Sequence, residues 1–91
     1  MQGAMKKIDF SNIQVTDIEG KKVPVDIRQM MGNLLYMQGT DITECELGQA
    51  IYHQADDKPM ELPDEQVTIV KRFAERLAYV TRMAILDALK D

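Results

Sequence analysis

Two short runs near the N-terminus alternate apolar and polar residues, as expected of strands with one buried face. The apolar members of these runs are Ile13, Val15, Val23 and Val25. Between the runs lies Gly20, which can adopt the positive φ that a type I turn with a bulge requires. The pattern therefore predicts an antiparallel β-hairpin. The earlier Ile8 and Phe10 either extend its first strand or pack as a separate arm.

Apolar residues then recur at the three- to four-residue spacing of amphipathic helices. This spacing predicts helices over residues 27–38 and 44–53. Gly48 lies near the apolar side of the second helix, where Gly costs about 1 kcal/mol relative to Ala. We interpret it as a place where another element approaches closely. Met60 and Leu62 alternate around Glu61 and predict a short third strand against the hairpin.

The segment 64–91 contains no Gly or Pro and is predicted to be one continuous helix. At about 1.5 Å per residue, some 25 residues of such a helix would span roughly 38 Å. Its predicted core face comprises Val70, Phe73, Leu77, Val80 and Ala84. The predicted class is therefore α+β, with an N-terminal β-hairpin, with or without a third strand, packed on three helices of which the last is long.

Length and composition indicate one domain over residues 1–91. Hydrophobic residues make up 45% of the chain and charged residues 29%, which is typical of a globular protein. Residues 1–7 are expected to be flexible or vector-derived, with Met5 as one candidate for the natural start. The single Cys45 rules out an intrachain disulfide, and no apolar run approaches a signal peptide or the ~20 residues of a membrane helix. We therefore expect a cytoplasmic protein.

Charge is distributed unevenly along the chain. The net charge of −4 comprises +1 over residues 1–40, −7 over 41–66 and +2 over 67–91. An acidic chain of this kind disfavours bulk binding to nucleic acid or to an anionic membrane.

Four segments carry a resemblance to other proteins: DIEGK at 17–21, AIY at 50–52, MELPDEQ at 60–66 and IVK at 69–71. With them the chain resembles, over roughly Asp17 to Asp91, a loose group of small uncharacterised proteins encoded in prophages and related mobile elements of bacteria. The resemblance implies a phage or mobile-element context and carries no catalytic motif.

Candidates for catalysis and metal binding are few. Cys45 and His53 lie eight residues apart on one predicted helix, about 12 Å along its axis, so they cannot pair within one subunit. A pair formed between subunits stays open. His53, Asp56 and Asp57 could ligate a divalent ion, but a helix end followed by a solvated acidic loop explains them better. We therefore expect no catalytic, metal or cofactor site and no enzymatic activity.

The C-terminal segment offers two candidate binding faces. On a continuous helix, four basic residues share an arc of about 140° and could contact nucleic acid, or could form a solvated face that pairs with the acidic middle segment. They are Lys71, Arg72, Arg76 and Arg82. In the same sector, Tyr79, Met83 and Leu86 follow i, i+4, i+7 spacing, which makes the last turns apolar nearly all round.

Two elements could cover this second apolar side: the N-terminal arm with Ile8 and Phe10, or a second copy or protein partner. The second alternative predicts a self-associating adaptor or assembly factor that binds through Tyr79, Met83 and Leu86. The alternative function is a small regulator that contacts nucleic acid through the basic arc.

Overall fold

The computed structural model describes residues 5–90, and these form four strands and four helices. In chain order they are β1 (Lys6–Ile8), β2 (Ile13–Thr16), β3 (Lys22–Val25), α1 (Arg28–Gln38), α2 (Ile42–Tyr52), β4 (Met60–Leu62), α3 (Asp64–Ala74) and α4 (Tyr79–Ala88). The predicted α+β class with an N-terminal hairpin is confirmed. None of the described helices is long and apolar enough to cross a membrane.

Strands β2 and β3 form the predicted hairpin, with Ile13 opposite Val25. Its turn is closed by Asp17, whose Oδ1 accepts hydrogen bonds from the backbone N–H groups of Glu19 and Lys21, both at 2.9 Å. Gly20 adopts φ 85°, a conformation that costs Gly little and other residues more. The prediction for this turn is confirmed.

The third strand exists but does not join the hairpin. Strand β4 pairs antiparallel with β1, so that Ile8 lies opposite Met60. The N-terminal arm is therefore a separate two-stranded sheet. Lys6 and Lys7 lie in β1, and the prediction for Met1 to Ala4 lies outside the described residues.

Helices α1 and α2 cross at two glycines. A Cβ placed on Gly48 would lie 2.7 Å from the carbonyl oxygen of Gly32, and one placed on Gly32 would lie 2.8 Å from that of Gly48. The predicted close approach at Gly48 is confirmed, and its partner is α1. Helix α2 begins two residues earlier than predicted because Asp41 caps it, accepting a hydrogen bond from Glu44 N at 3.0 Å.

The prediction of one long C-terminal helix is wrong. Helix α3 ends at Ala74, and the next two backbone bonds run from Arg76 N to Phe73 O and from Leu77 N to Ala74 O, both at 3.0 Å. These shorter i→i−3 bonds tighten the last turn. Ala78 is then extended at ψ 149°, and α4 begins at Tyr79. The break redirects α4 onto β2, where it covers the apolar side of the hairpin.

Side chains from both sheets and all four described helices meet in one core. Its largest fully buried members are Phe10, Ile13, Ile27, Met31, Leu35, Ile51, Leu62, Val70, Ile85 and Leu89. Val80, which is predicted to face this core, is 50% exposed. The reason is the restart of the helix at Tyr79, which ends the face that continuous helical spacing would have extended from Val70 and Phe73.

Candidate interaction surface

Three large apolar side chains at the start of α4 face solvent. Tyr79 is 66% exposed, Val80 50% and Met83 42%. Their i, i+1, i+4 positions place them on one side of the helix. Of the predicted partner-binding residues, Tyr79 and Met83 thus lie at the surface, while Leu86 is half-buried at the edge of this side. Tyr79, Val80 and Met83 are called the α4 face below.

The N-terminal arm does not cover the α4 face. Ile8 and Phe10 are 2% and 0% exposed and belong to the core. Helix α4 packs on β2 through its opposite side, where Ile85 and Leu89 are buried. Within residues 5–90, the first of the two predicted coverings is therefore not present.

A cation lies against the α4 face. The guanidinium carbon of Arg82 is 5.4 Å from the centre of the Tyr79 ring, within the range of a cation–π contact. Arg82 forms no ion pair with any residue that the structure describes, and its buried Nε has no acceptor among them. The α4 face therefore combines an exposed aromatic ring with a positive charge that lacks a carboxylate partner in this part of the chain.

The four basic residues predicted to share one arc do not share one helix, because the break puts Arg82 on α4. Arg72 forms an ion pair with Glu44, and Arg76 a hydrogen bond with the side chain of Gln38. Both guanidinium groups also lie 5.3 Å from the centre of the Phe73 ring. Arg72 thus connects α3 to α2, and Arg76, in the turn that follows α3, connects to the end of α1. Lys71 is exposed and has no ion pair within the described residues.

A groove of about 190 Å³ runs along the outer side of the α1–α2 crossing. Its lining is Gly32, Asn33, Tyr36, Gly48, Gln49, Tyr52 and His53. Further exposed apolar residues of the two helices are Met30, Met37 and Ile42, at 47%, 75% and 72%. The name α1–α2 groove is used below for the groove and its seven lining residues. This groove was not predicted from the sequence, although the low charge of both helices is a signal of such a surface.

The two eleven-residue helices contain only three charged residues. Arg28 pairs with Asp26 and Asp56, each at 2.7 Å, and Glu44 pairs with Arg72. Glu46 is exposed and forms no ion pair with the described residues. A surface with few charges and exposed Tyr and Met is typical of the centre of a protein–protein interface.

The residues considered for chemistry are kept apart. The sulfur of Cys45 lies 3.6 Å from the carbonyl oxygen of Tyr36, between α1 and α2. His53 is exposed at the end of α2, with its ring centre 5.1 Å from that of Tyr52. Asp56 is engaged by Arg28. Among residues 5–90, no group of three His, Cys, Asp or Glu side chains is arranged to hold a metal ion.

The titration of two carboxyl groups reflects local structure. Burial raises the pKa of Asp9, but hydrogen bonds from Ser11 and Gln54 together outweigh it, so this pKa lies below its ordinary value. Gln54 also accepts a hydrogen bond from the buried Phe10 N–H at 3.0 Å. Hydrogen bonds from Arg28 lower the pKa of Asp26. These groups join the β1–β2 loop and the start of α1 to the end of α2.

Comparison of the chain with protein-family models, with curated proteins and with solved structures finds no match. The α4 face and the α1–α2 groove are therefore the features of this chain that bear on its function.

Proposed function

We propose that this protein is a small, non-enzymatic, self-associating adaptor or assembly factor that binds through the α4 face. The observation that carries the proposal is the exposure of Tyr79, Val80 and Met83 on one side of a helix whose other side is buried. Burial of clustered, exposed apolar side chains against a partner is favourable by about 25 cal/mol per Å² of apolar surface removed from water.

The chemistry of the α4 face also supports a protein partner. Tyr and Arg are over-represented among the residues that dominate binding energy at interfaces. Here Arg82 is stacked on Tyr79, and Met83 adds a flexible apolar contact. The biological setting in this proposal is a phage or mobile element, as the resemblance implies, and a reducing cytoplasm, in keeping with the single unpaired Cys45.

Sedimentation velocity over a concentration series tests self-association. We expect the wild-type mass to rise with concentration and Met83→Glu to lower the association constant at least about tenfold, because a carboxylate would have to be desolvated in the interface. Ile18→Glu is the matched control, since Ile18 is a fully exposed apolar residue of the hairpin turn and is not part of the α4 face.

The control variant should associate like the wild type. A wild-type chain that stays monomeric at several hundred micromolar would refute the proposal, as would a Met83→Glu variant that associates as strongly as the control.

A further inference from the structure

The α4 face and the α1–α2 groove complement each other in shape and in charge. We propose that the α4 face of one copy docks in the α1–α2 groove of a second copy. This inference rests on the proposed self-association and specifies the two surfaces that meet.

The shapes of the two surfaces correspond. The α4 face is a ridge on a single helix, and its most exposed side chain is Tyr79. An apolar cavity of about 150 Å³ is known to accept a benzene-sized ring, so the α1–α2 groove, at about 190 Å³, has room for the phenol ring of Tyr79. Tyr36 and Tyr52 supply aromatic walls, while the amides of Asn33 and Gln49 supply partners for the phenol hydroxyl.

The charges correspond as well. Arg82 accompanies Tyr79 and lacks a carboxylate partner among the described residues. Glu46 lies three residues before Gln49, hence one turn away on the same side of α2, and it also has no ion pair there. Docking of Tyr79 in the groove brings Arg82 towards Glu46 of the second copy. This pairing also joins the basic C-terminal segment to the acidic segment 41–66.

Pairing of one α4 face with another is a weaker arrangement. Around a two-fold axis, Arg82 would approach its own counterpart instead of an acid. Three side chains per copy would also bury much less than the roughly 800 Å² per partner of a standard interface. The groove adds contact area, because Met30, Met37 and Ile42 are exposed on the same two helices.

The arrangement has a consequence for assembly. Each copy carries one ridge and one groove. Reciprocal docking about a two-fold axis closes a dimer with two such contacts, whereas a single head-to-tail contact continues from copy to copy as a ring or filament. The mass of the wild-type assembly distinguishes these two arrangements.

Complementation between two variants tests the inference by sedimentation velocity. Met83→Glu disrupts the ridge, whereas Gln49→Arg fills the groove and places a positive charge where Arg82 would dock. Each variant alone should associate at least about tenfold more weakly than the wild type. An equimolar mixture should form a 1:1 heterodimer that grows no further, because one intact ridge and one intact groove remain.

Gln14→Arg is the control for Gln49→Arg, because Gln14 is an exposed Gln in β2 that neither lines the groove nor shares a helix with Glu46. It should assemble like the wild type. Thermal unfolding monitored by circular dichroism establishes that each variant is folded, and Tyr79→Ser with Asn33→Arg forms an independent pair if one of the first two is not.

The outcomes separate this inference from the proposed function. If Gln49→Arg assembles like the wild type, or if the mixture remains monomeric, docking in the groove is refuted. In both cases self-association through the α4 face remains supported, provided that Met83→Glu alone associates more weakly than the wild type. A wild-type chain that never associates refutes both.

Discussion

Helix propensity and packing predict opposite effects of Gly48→Ala on the free energy of unfolding. Ala is favoured over Gly in a helix interior by about 1 kcal/mol. In this structure, however, the added Cβ would lie 2.7 Å from Gly32 O, 2.9 Å from Tyr36 N and 2.9 Å from Leu35 Cβ. Two of these atoms belong to the backbone of α1, so relief requires α1 and α2 to move apart.

Overpacking of this kind typically costs about 1–3 kcal/mol. Because backbone atoms cannot rotate away, we place Gly48→Ala in the upper part of this range, at about 2–3 kcal/mol. After the propensity gain is subtracted, the free energy of unfolding should fall by about 1–2 kcal/mol. For a chain of this size, that change lowers Tm by roughly 4–16 °C.

Thermal and urea unfolding monitored by circular dichroism measure this change. Ala50→Gly is the control, because Ala50 is exposed on the same helix and reports propensity without packing; it should cost about 1 kcal/mol. A Gly48→Ala variant with a Tm above that of the wild type would refute the assignment of Gly48 to a close helix crossing.

Three further expectations concern groups inside the chain. Gln54→Leu removes the acceptor of the buried Phe10 N–H and should lower the free energy of unfolding by about 1–3 kcal/mol in urea titrations. The pKa of Asp9 is lower in the folded protein than in the unfolded chain, where it is near 4, so the ionised carboxylate stabilises the fold above about pH 4. This stabilisation is lost as the pH falls through the pKa of the folded state. Asp9→Asn should therefore weaken the dependence of the free energy of unfolding on pH below about 4. Arg72→Glu leaves Glu44 buried without its cation, and after allowance for the exposure of Arg72 we expect a loss of about 1–3 kcal/mol.

Each of these changes has a matched control. Gln14→Leu alters an exposed Gln, Asp64→Asn an exposed Asp, and Lys71→Glu an exposed cation that has no ion pair among the described residues. Equal stability of Gln54→Leu and Gln14→Leu would contradict the first expectation. An acid titration of Asp9→Asn that matches that of Asp64→Asn would contradict the second. The third is wrong if Arg72→Glu unfolds at the same urea concentration as Lys71→Glu.

The ion pair of Arg72 makes this residue a poor probe of nucleic-acid binding. Charge reversal at Arg72 would perturb the ion pair with Glu44 and therefore the fold itself. Lys71→Glu is the cleaner probe, since Lys71 is exposed beside the same helix turn. If the basic residues bind DNA or RNA, Lys71→Glu should lower the affinity measured at low salt, and a higher salt concentration should lower the affinity of the wild type. We expect no binding to DNA or to RNA.

Secondary-structure elements that are determined by residues close together in the sequence could be predicted from the sequence. Alternation around Ile13 and Val25, together with one Gly at the turn, is sufficient for a hairpin, because strand period and turn conformation are local properties. Periodicity likewise predicted α1 and α2 to within two residues at each end. Gly48 pointed to a close contact because Gly is costly in a helix unless its missing side chain is used.

The pairing of β1 with β4 and the break after Ala74 depend on contacts between distant parts of the chain. No Gly or Pro marks the break; α4 turns because the apolar side of β2 requires a cover, which Ile85 and Leu89 help to provide. The same turn leaves Val80 in solvent and separates Arg82 from the basic residues of α3. Helical spacing identifies which residues share a side of a helix, but only the packed structure decides which side meets water.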